Sequence, residues 1–309
     1  MTSVTIMRAL VVESFTGPEG VAVGEVPDPP APEPGSVLVE VKAAALGPWD
    51  LGTSYGGFAG SGGATTFPQV IGWDFTGVRA DTGERVAGFV AQPWAGVGSA
   101  APLAVVPEEV LAPVPAGLSD EAAATLAVTA LTARLALDTA AQPRGANRLV
   151  IGAAGAVGAV VVALAAGQGL VVAGSASPGD ADRVRAAGGA PLDRHGELAE
   201  QYAAAGLVSP DAVIDFVGGG AGTAAMELLQ DGGTFVSATP TSVPPAVRGI
   251  QPQVIGVQPD GAKLAALLPR FASGELPVPR FETVPLADSA DAFRRFASGA
   301  TNGKVVVLP

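Results

Sequence analysis

One segment constrains the fold of this chain more than any other, the ten residues LVIGAAGAVG from Leu149 to Gly158. A short apolar run typical of a buried strand passes into a glycine turn, and the turn opens directly into an Ala/Val helix pattern. Glycine in such a turn lets a ligand approach the backbone, and the helix that follows presents free N–H groups at its positive end. The segment therefore predicts a strand, turn and helix that hold the pyrophosphate of a dinucleotide. The residues predicted to contact it are Gly152, Ala154, Gly155, Ala156, Val157 and Gly158.

A purely structural turn is the alternative, because 42 glycines in 309 residues make a chance G-x-x-G spacing common. The full G-x-G-x-x-G spacing is met only at its last two positions, with Ala153 where the first glycine would stand. The context favours a cofactor turn, since a strand precedes it, a helix follows it and a second apolar run lies at Leu170 to Gly174.

The end of that second run bears on the choice of cofactor. An acidic residue there binds the ribose 2′-hydroxyl of NAD, whereas this chain has only small, uncharged residues from Ala173 to Ser177. This composition predicts NADPH over NADH, with the hydroxyls of Ser175 and Ser177 donating to the 2′-phosphate. Arg183 either approaches that phosphate or is simply a solvated helix residue.

Residues 149–179 carry no charge, and this stretch exceeds the roughly 20 apolar residues that a membrane helix needs. It is interrupted by glycines at positions 152, 155, 158, 167, 169 and 174, and its two Val-rich pieces flank an Ala-rich one. This pattern favours a buried strand, helix, strand unit, with a membrane span as the alternative.

Charge and cysteine content narrow the possible partners. A net charge of -12 disfavours nucleic acid and membrane surfaces, so a small-molecule substrate is expected. Cysteine is absent, which excludes disulfides and thiolate metal ligands. The first residues, MTSVTIMRALVV, lack the basic and apolar regions of a signal peptide. A cytoplasmic location is expected.

The remaining pattern predicts an α/β protein. The first hundred residues are β-type, with alternation from Ser36 to Ala45 and short runs at Phe75 to Val78 and Arg85 to Val90. Ser119 is a predicted N-cap of one helix that continues to about Ala140. Strands and helices then alternate through residue 237, which indicates a doubly wound parallel sheet. Two helices and a closing strand at Lys304 to Leu308 follow, and we expect this strand to return to the first domain.

Four segments together resemble the zinc-independent quinone oxidoreductases of the medium-chain dehydrogenase/reductase superfamily. They are residues 152–158 (GAAGAVG), 131–133 (LTA), 215–219 (DFVGG) and 303–307 (GKVVV). The resemblance implies a GroES-like β-rich substrate domain from residues 1–115 and 275–309, around a Rossmann domain at residues 116–274. It also implies a homodimer, with Thr132 near the cofactor and Val217 and Gly218 near its nicotinamide side.

Two departures from related sequences matter. Zinc-dependent relatives carry Gly-His-Glu where this chain has Gly72-Trp73-Asp74, and they supply Cys ligands that are missing here. We therefore expect no metal. The quinone reductases usually carry Asn where this chain has Gly47, which weakens the inference of a quinone substrate.

Without a metal to polarise a simple carbonyl, a quinone or an enone is the expected hydride acceptor. Asp50 and Tyr55 are the catalytic candidates and Trp49 is a possible stacking surface. Their structural alternatives are a helix cap for Asp50, a surface site for Tyr55 and a core position for Trp49. His195 is expected to be solvated. The predicted function is NADPH-dependent quinone reduction; the alternatives are an enoyl reductase of a biosynthetic pathway and a non-catalytic NADPH-binding protein.

Overall fold

The computed structural model describes residues 5–141 and 143–309, and the chain divides into two compact units. The first unit comprises the residues up to Val128 together with Gln258–Ser273 and Val278–Pro309. The second unit comprises Thr129–Val257 and Gly274–Pro277. Each unit has its own sheet system and its own buried apolar core.

The strands of the described residues, in chain order, are β1 (Ile6–Val12), β2 (Val21–Pro27), β3 (Ser36–Leu46), β4 (Gln69–Val70), β5 (Asp74–Arg79), β6 (Arg85–Phe89), β7 (Leu103–Pro107), β8 (Ala112–Pro113), β9 (Asn147–Ile151), β10 (Val171–Ala176), β11 (Ala190–Asp193), β12 (Ala212–Asp215), β13 (Thr234–Ser237), β14 (Gln253–Val254), β15 (Phe281–Pro285) and β16 (Lys304–Leu308). The α-helices are α1 (Pro48–Ser54), α2 (Gln92–Ala95), α3 (Asp120–Ala124), α4 (Ala127–Thr139), α5 (Ala156–Gly167), α6 (Ala181–Ala186), α7 (Leu198–Ala204), α8 (Gly219–Leu228), α9 (Gly261–Ala272) and α10 (Ser289–Ala297). Short 3-10 helices span Gly17–Gly20, Ala59–Ser61, Glu108–Val110, Pro178–Asp180 and Leu286–Asp288.

The first unit contains two β-sheets. A small sheet has the order β2-β1-β4, and a larger one has the order β15-β16-β3-β5-β6-β8, with β7 also paired to β3. The closing strand β16 lies antiparallel to β3, with Val305 opposite Leu46. The expected return of the last strand to the first part of the chain is thereby confirmed.

The alternation predicted for β3 is present in its first half. Val37, Val39 and Val41 are buried, whereas Glu40 and Lys42 are exposed. From Ala43 to Leu46 the strand is buried without alternation, where it pairs with β16 on one side and β5 on the other. Small alanine side chains fit this two-sided burial.

The second unit is a six-stranded sheet in the order β11-β10-β9-β12-β13-β14, and its paired strands are parallel. Counted from β9, this is the order 3-2-1-4-5-6 of a Rossmann sheet. The predicted α/β fold with a doubly wound parallel sheet is confirmed. The direction of winding reverses between β9 and β12, and such sheets bind ligands at the carboxyl ends of the strands next to that reversal.

The prediction of a single helix from Ser119 to about Ala140 is wrong in one respect, because this segment forms two helices, α3 and α4. Ser119 does cap α3, since its hydroxyl accepts from the Ala122 N–H at 3.2 Å. The helix then breaks at Thr125, whose carbonyl oxygen accepts from Lys304 Nζ at 3.1 Å. The Val128 N–H of α4 donates to the Asp74 carboxylate at 2.6 Å. Buried side chains from the sheet therefore take the backbone groups that a continuous helix would pair internally.

The uncharged stretch at residues 149–179 forms β9, α5 and β10. Its helix is 12 residues long. Among the described residues, no helix combines the length and the apolar character that crossing a bilayer requires.

Candidate functional site

The glycine turn lies at the carboxyl end of β9, the strand at the centre of the winding reversal. Gly152 adopts a left-handed backbone with φ +80°, and Gly155 is the N-cap of α5. The first helical bond runs from the Ala159 N–H to the Gly155 oxygen at 3.1 Å, so the N–H groups of residues 156–158 precede the intrahelical ladder. Gly155 is exposed. The predicted residues therefore form an open helix N-terminus with no side chain at its cap.

Glycine is required by close backbone packing at Gly158. A Cβ atom there would lie 2.2 Å from the Gly152 oxygen. At Gly174 on the neighbouring strand, an added Cβ would lie 2.3 Å from the Ala153 Cβ. These contacts hold the start of the helix directly against the turn.

The end of β10 is joined to the turn by two hydrogen bonds. The Gly152 N–H donates to Ser175 Oγ at 3.1 Å, and the Ala153 N–H donates to the Ser175 oxygen at 2.9 Å. Ser177 Oγ donates to the Asp180 carboxylate at 2.6 Å. Ser175 thus stabilises the turn. An acidic side chain, Asp180, lies just beyond the end of β10 and was not among the predicted site residues.

A second turn follows β12, the strand beside β9. One oxygen of the buried Asp215 carboxylate accepts from the N–H groups of Val217 at 2.8 Å and Gly218 at 2.9 Å. Gly218 has φ +77°, and the Gly219 N–H donates to the Ser242 oxygen at 2.9 Å. Because Asp215 is opposite Ile151 in the sheet register, this turn and the glycine turn begin at neighbouring strand ends.

Other residues singled out from the sequence have simpler surroundings. Thr132 lies in α4 and is 9% exposed. His195 is exposed, and its Nε2 accepts from Arg194 Nε at 3.1 Å. Its predicted solvated position is confirmed. Arg183 lies in α6 and is partly buried.

Asp50 lies in the first unit and is completely buried. Its two carboxylate oxygens accept from the backbone N–H groups of Gly47 and Gly72, each at 2.8 Å. Burial raises the pKa of Asp50 to about 7, against the lowering effect of these two hydrogen bonds. The structure shows the helix-cap role that was the alternative for Asp50. The same carboxylate also ties α1 to the loop before β5. A catalytic role for Asp50 stays a prediction.

Trp49 lies in the same short helix, α1, and Tyr55 directly follows it. Tyr55 is 61% exposed, and its ring lies against the backbone of Gly17, where an added Cβ would be 2.4 Å from Cε1. Trp49 is half-buried, and its ring centroid is 5.8 Å from that of Trp73. Tyr55 therefore has the exposed position given as its alternative, while its catalytic role stays a prediction.

A buried ion pair beside Asp50 was not predicted. Lys304 Nζ lies 2.8 Å from Asp74 Oδ2, and neither side chain has more than slight exposure. The same ammonium group is 5.1 Å from the centroid of the Trp49 ring. The sequence offered one signal, a lysine opening an otherwise apolar strand, but nothing in its spacing indicated that residue 74 would be the partner.

The described residues, 5–141 and 143–309, contain no candidate metal site. No group of three or more His, Asp or Glu side chains that could hold a metal ion occurs there. Trp73 stands beside Asp74 at the start of β5, with its indole packed against aromatic rings.

Known proteins are similar to this chain in sequence and in fold. The family model described as zinc-binding dehydrogenase matches residues 197–307. A structure of the quinone oxidoreductase from Coxiella burnetii superposes with a TM-score of 0.85 at 25% identity, covering 99% of this chain and 100% of that one.

Two curated relatives match most of this chain. The 2-methylene-furan-3-one reductase of Solanum lycopersicum is 29% identical over 294 residues, covering 88% of this chain and 71% of the relative. The spectinabilin polyketide synthase system protein NorB of Streptomyces orinoci is 32% identical over 302 residues, covering 91% of this chain. The chain spans only 13% of the length of NorB. In fold and in sequence, the chain is therefore similar to quinone oxidoreductases of the medium-chain dehydrogenase/reductase superfamily.

Proposed function

We propose that the chain is an NAD(P)H-dependent oxidoreductase that reduces a quinone or another conjugated carbonyl. The observation that carries this proposal is the pair of turns at the carboxyl ends of β9 and β12. An open helix N-terminus at one strand end and a glycine turn at the next form the binding edge of a Rossmann sheet.

The residues present fit a dinucleotide. Gly155 leaves the helix start open, and the contact of Gly158 with the Gly152 oxygen fixes the N–H groups of residues 156–158. These groups would bind the pyrophosphate, with Ala154 backing the turn, while Val217 and Gly218 lie toward the nicotinamide and Thr132 near the cofactor. A bound reduced nicotinamide supplies a hydride. The chain binds and orients the cofactor through backbone groups, so its net charge of -12 need not repel the phosphates locally.

NADPH is the proposed cofactor, because β10 ends in uncharged residues at the position where NAD-binding sheets place an acid. Asp180 opposes this preference, since its carboxylate accepts from Ser177 near the same strand end. The Ser175→Asp variant should shift the ratio of kcat/KM values toward NADH. An unchanged ratio would show that the ribose lies elsewhere.

The acceptor class is supported by two similarities. One solved structure similar to this chain is named a quinone oxidoreductase, and one relative is named a reductase of a 2-methylene-furan-3-one. Both names denote reduction of a conjugated carbonyl compound, which spreads the charge that a hydride brings. Tyr55, with its exposed ring, is the proposed proton donor, and Asp50 is proposed to act by holding the Gly47 and Gly72 loops.

An enoyl reductase of a biosynthetic pathway is the second candidate. It is favoured by the match to NorB, a polyketide synthase system protein that aligns with 91% of this chain. Binding of NADPH without turnover is the third. We also propose that the protein is a homodimer in the cytoplasm. Light scattering of the purified protein would test whether it is a dimer.

Steady-state oxidation of NADPH separates these candidates. Turnover with menadione, a soluble quinone, supports quinone reduction, and turnover with benzylideneacetone or a crotonyl thioester alone supports the enoyl reductase. Saturable NADPH binding without oxidation by any acceptor would overturn both enzymatic assignments. A protein that fails to bind either dinucleotide would overturn the proposal as a whole.

A further inference from the structure

The segment between β13 and β14, residues 238–252, is hydrogen-bonded to both ends of α8. At the start of the helix, the Gly219 N–H donates to the Ser242 backbone oxygen at 2.9 Å. At the end of the helix, the Arg248 guanidinium donates to three backbone oxygens, those of Met226 at 3.0 Å, Glu227 at 3.4 Å and Leu229 at 2.5 Å. The segment and the helix both belong to the second unit. The segment therefore holds α8 at both ends within one unit.

Arginine is well suited to the C-terminal end of a helix. The last backbone oxygens of a helix have no partner inside it and carry a partial negative charge, which a guanidinium group stabilises. Nε of Arg248 also lies 3.0 Å from Asp231 Oδ1. The Asp231 side chain is 85% exposed, so this ion pair contributes little by itself. The bonds to the helix backbone are therefore the main attachment of Arg248.

The backbone conformation of Arg248 is unfavourable for a residue with a Cβ atom. Its φ is +49°, and no other non-glycine residue in the described ranges has a positive φ. Such a conformation persists only where the surrounding contacts impose it. Here Val247 and Ile250 exchange two backbone hydrogen bonds, at 3.3 and 2.8 Å, and Ile250 is buried in the core of the second unit. The turn is therefore fixed in the conformation from which Arg248 reaches the helix end.

The first part of the same segment packs against the turn that follows β12. A Cβ on Gly218 would lie 2.1 Å from Ser242 Oγ and 2.8 Å from Thr239 Oγ1, so both hydroxyls lie directly against the Gly218 backbone. Thr239 is fixed in turn, because its N–H donates to Ser237 Oγ at 3.1 Å. The Gly218 N–H donates to the Asp215 carboxylate at 2.9 Å. The Gly218 turn is therefore held both by Asp215 and by the segment.

This turn belongs to one half of the sheet. A Rossmann sheet binds a dinucleotide as two mononucleotide halves, one on each side of the winding reversal. The ends of β9 and β10 form the side proposed for the pyrophosphate and adenosine, and the turn after β12 lies on the side proposed for the nicotinamide. α8 has 10 residues, so about 15 Å separates the oxygens bound by Arg248 from this turn. A packed helix moves as a rigid element, so fixing one end also fixes the other.

We propose that Arg248 is a positioning residue for the nicotinamide half of the cofactor. By attaching residues 238–252 to the C-terminal end of α8, it fixes the turn of Val217 to Gly219 at the opposite end of the helix. This assignment rests on the proposed function. Arg248 acts through the helix and without contact with the reacting atoms. Its loss should therefore impair the nicotinamide half of the site and leave the adenosine half intact.

Amide hydrogen exchange of the ligand-free protein tests the structural part of this proposal. Arg248→Gly removes the guanidinium and relieves the unfavourable φ, so the turn at residue 248 can keep its conformation. Exchange at Gly218 and Gly219 should become at least about tenfold faster in this variant, because bonds from a charged group are lost at the far end of the helix. The Ala153 N–H, which donates to the Ser175 oxygen at 2.9 Å in the same unit, is the internal control and should exchange at the wild-type rate. Asp231→Ala is the matched variant, since it removes only the exposed ion pair and should leave all three rates unchanged.

Ligand binding tests the functional part. 2′,5′-ADP carries the adenosine and 2′-phosphate of NADPH without the nicotinamide. Arg248→Gly should bind 2′,5′-ADP within about twofold of the wild type, because that half of the site is independent of α8. The same variant should bind NADPH about tenfold more weakly. Its kcat for NADPH oxidation by menadione should fall by up to about 10²-fold, because small displacements at the reacting centre are costly. Arg248→Lys keeps one charged donor and should recover part of each loss.

Unchanged exchange at Gly218 and Gly219 in Arg248→Gly, or equal acceleration at Ala153, would overturn the proposal. Equal weakening of 2′,5′-ADP and NADPH binding would overturn it as well, since Arg248 would then only stabilise the second unit. Both results leave the proposed function intact. Selective acceleration at Gly218 and Gly219 in a protein that binds neither ligand would support the attachment of the turn by Arg248 and refute the proposed function.

Discussion

The buried pair of Asp74 and Lys304 allows a quantitative test of what stabilises the first unit. Lys304→Met keeps most of the side-chain volume but leaves the completely buried Asp74 carboxylate without its cationic partner. Removing one partner of such a pair typically costs about 3–5 kcal/mol, and lost donation to the Thr125 oxygen adds about 1 kcal/mol. We therefore expect the free energy of unfolding to fall by about 4–6 kcal/mol.

The double variant Asp74→Asn/Lys304→Met is the matched control. The asparagine side chain would keep an oxygen that accepts from the Val128 N–H but would carry no charge, so we expect the double variant to recover at least half of the lost stability. Burial raises the pKa of Asp74, and without Lys304 that pKa rises further. The single variant should therefore recover as pH falls and the carboxylate takes up a proton.

Urea unfolding followed by tryptophan fluorescence is the appropriate assay, because all three tryptophans belong to the first unit. The signal then reports unfolding of that unit. Equal midpoints for the single and double variants would refute the reasoning, since the loss would then come from packing and not from an unpaired charge. A deficit that does not change with pH would refute it as well.

Two further predictions follow from Asp50 and Gly158. Because burial raises the pKa of Asp50 from 3.8 to about 7, the folded protein keeps a proton that the unfolded chain releases across this range. Between about pH 4 and about pH 7, the free energy of unfolding of the wild type should therefore fall by on the order of 4 kcal/mol more than that of Asp50→Asn. Urea unfolding at a series of pH values measures this difference, and parallel pH profiles for the two proteins would contradict the prediction. Gly158→Ala forces a Cβ to within 2.2 Å of the Gly152 oxygen and should weaken NADPH binding at least tenfold by calorimetry, a cost of about 1–3 kcal/mol. Gly167→Ala, in open space on the same helix, should bind normally, and equal affinities would contradict a packing role for Gly158.

The sequence was sufficient to predict features that depend on local pattern. The strand and helix around Gly152 to Gly158 could be predicted because a glycine turn between apolar runs has few other solutions. The Ser119 cap and the strand at residues 304–308 follow from equally local signals. The edge strand β11 was missed, because Pro191 is unfavourable in a strand interior and is tolerated only at an edge.

Features set by long-range contacts could not be predicted. The break between α3 and α4 depends on Lys304, which lies 179 positions from Thr125. The pairing of Asp74 with Lys304 spans 230 positions. The ring contacts of Trp73 with Trp49 and Trp94 join positions that follow no common period in the sequence. In each case the sequence shows the residue types but not their neighbours.

The position of β16 has a consequence for the order in which the molecule is assembled during synthesis. This strand lies between β3 and β15 in the larger sheet of the first unit, yet it comes last along the chain. The second unit, Thr129–Val257 and Gly274–Pro277, is translated in full before the ribosome reaches Lys304. We expect that unit to fold first, while the Asp74 carboxylate stays hydrated in an incomplete sheet. Arrival of Lys304 would then close the sheet and pair with the carboxylate in one late step, so the first unit would stay incomplete for longer than the second.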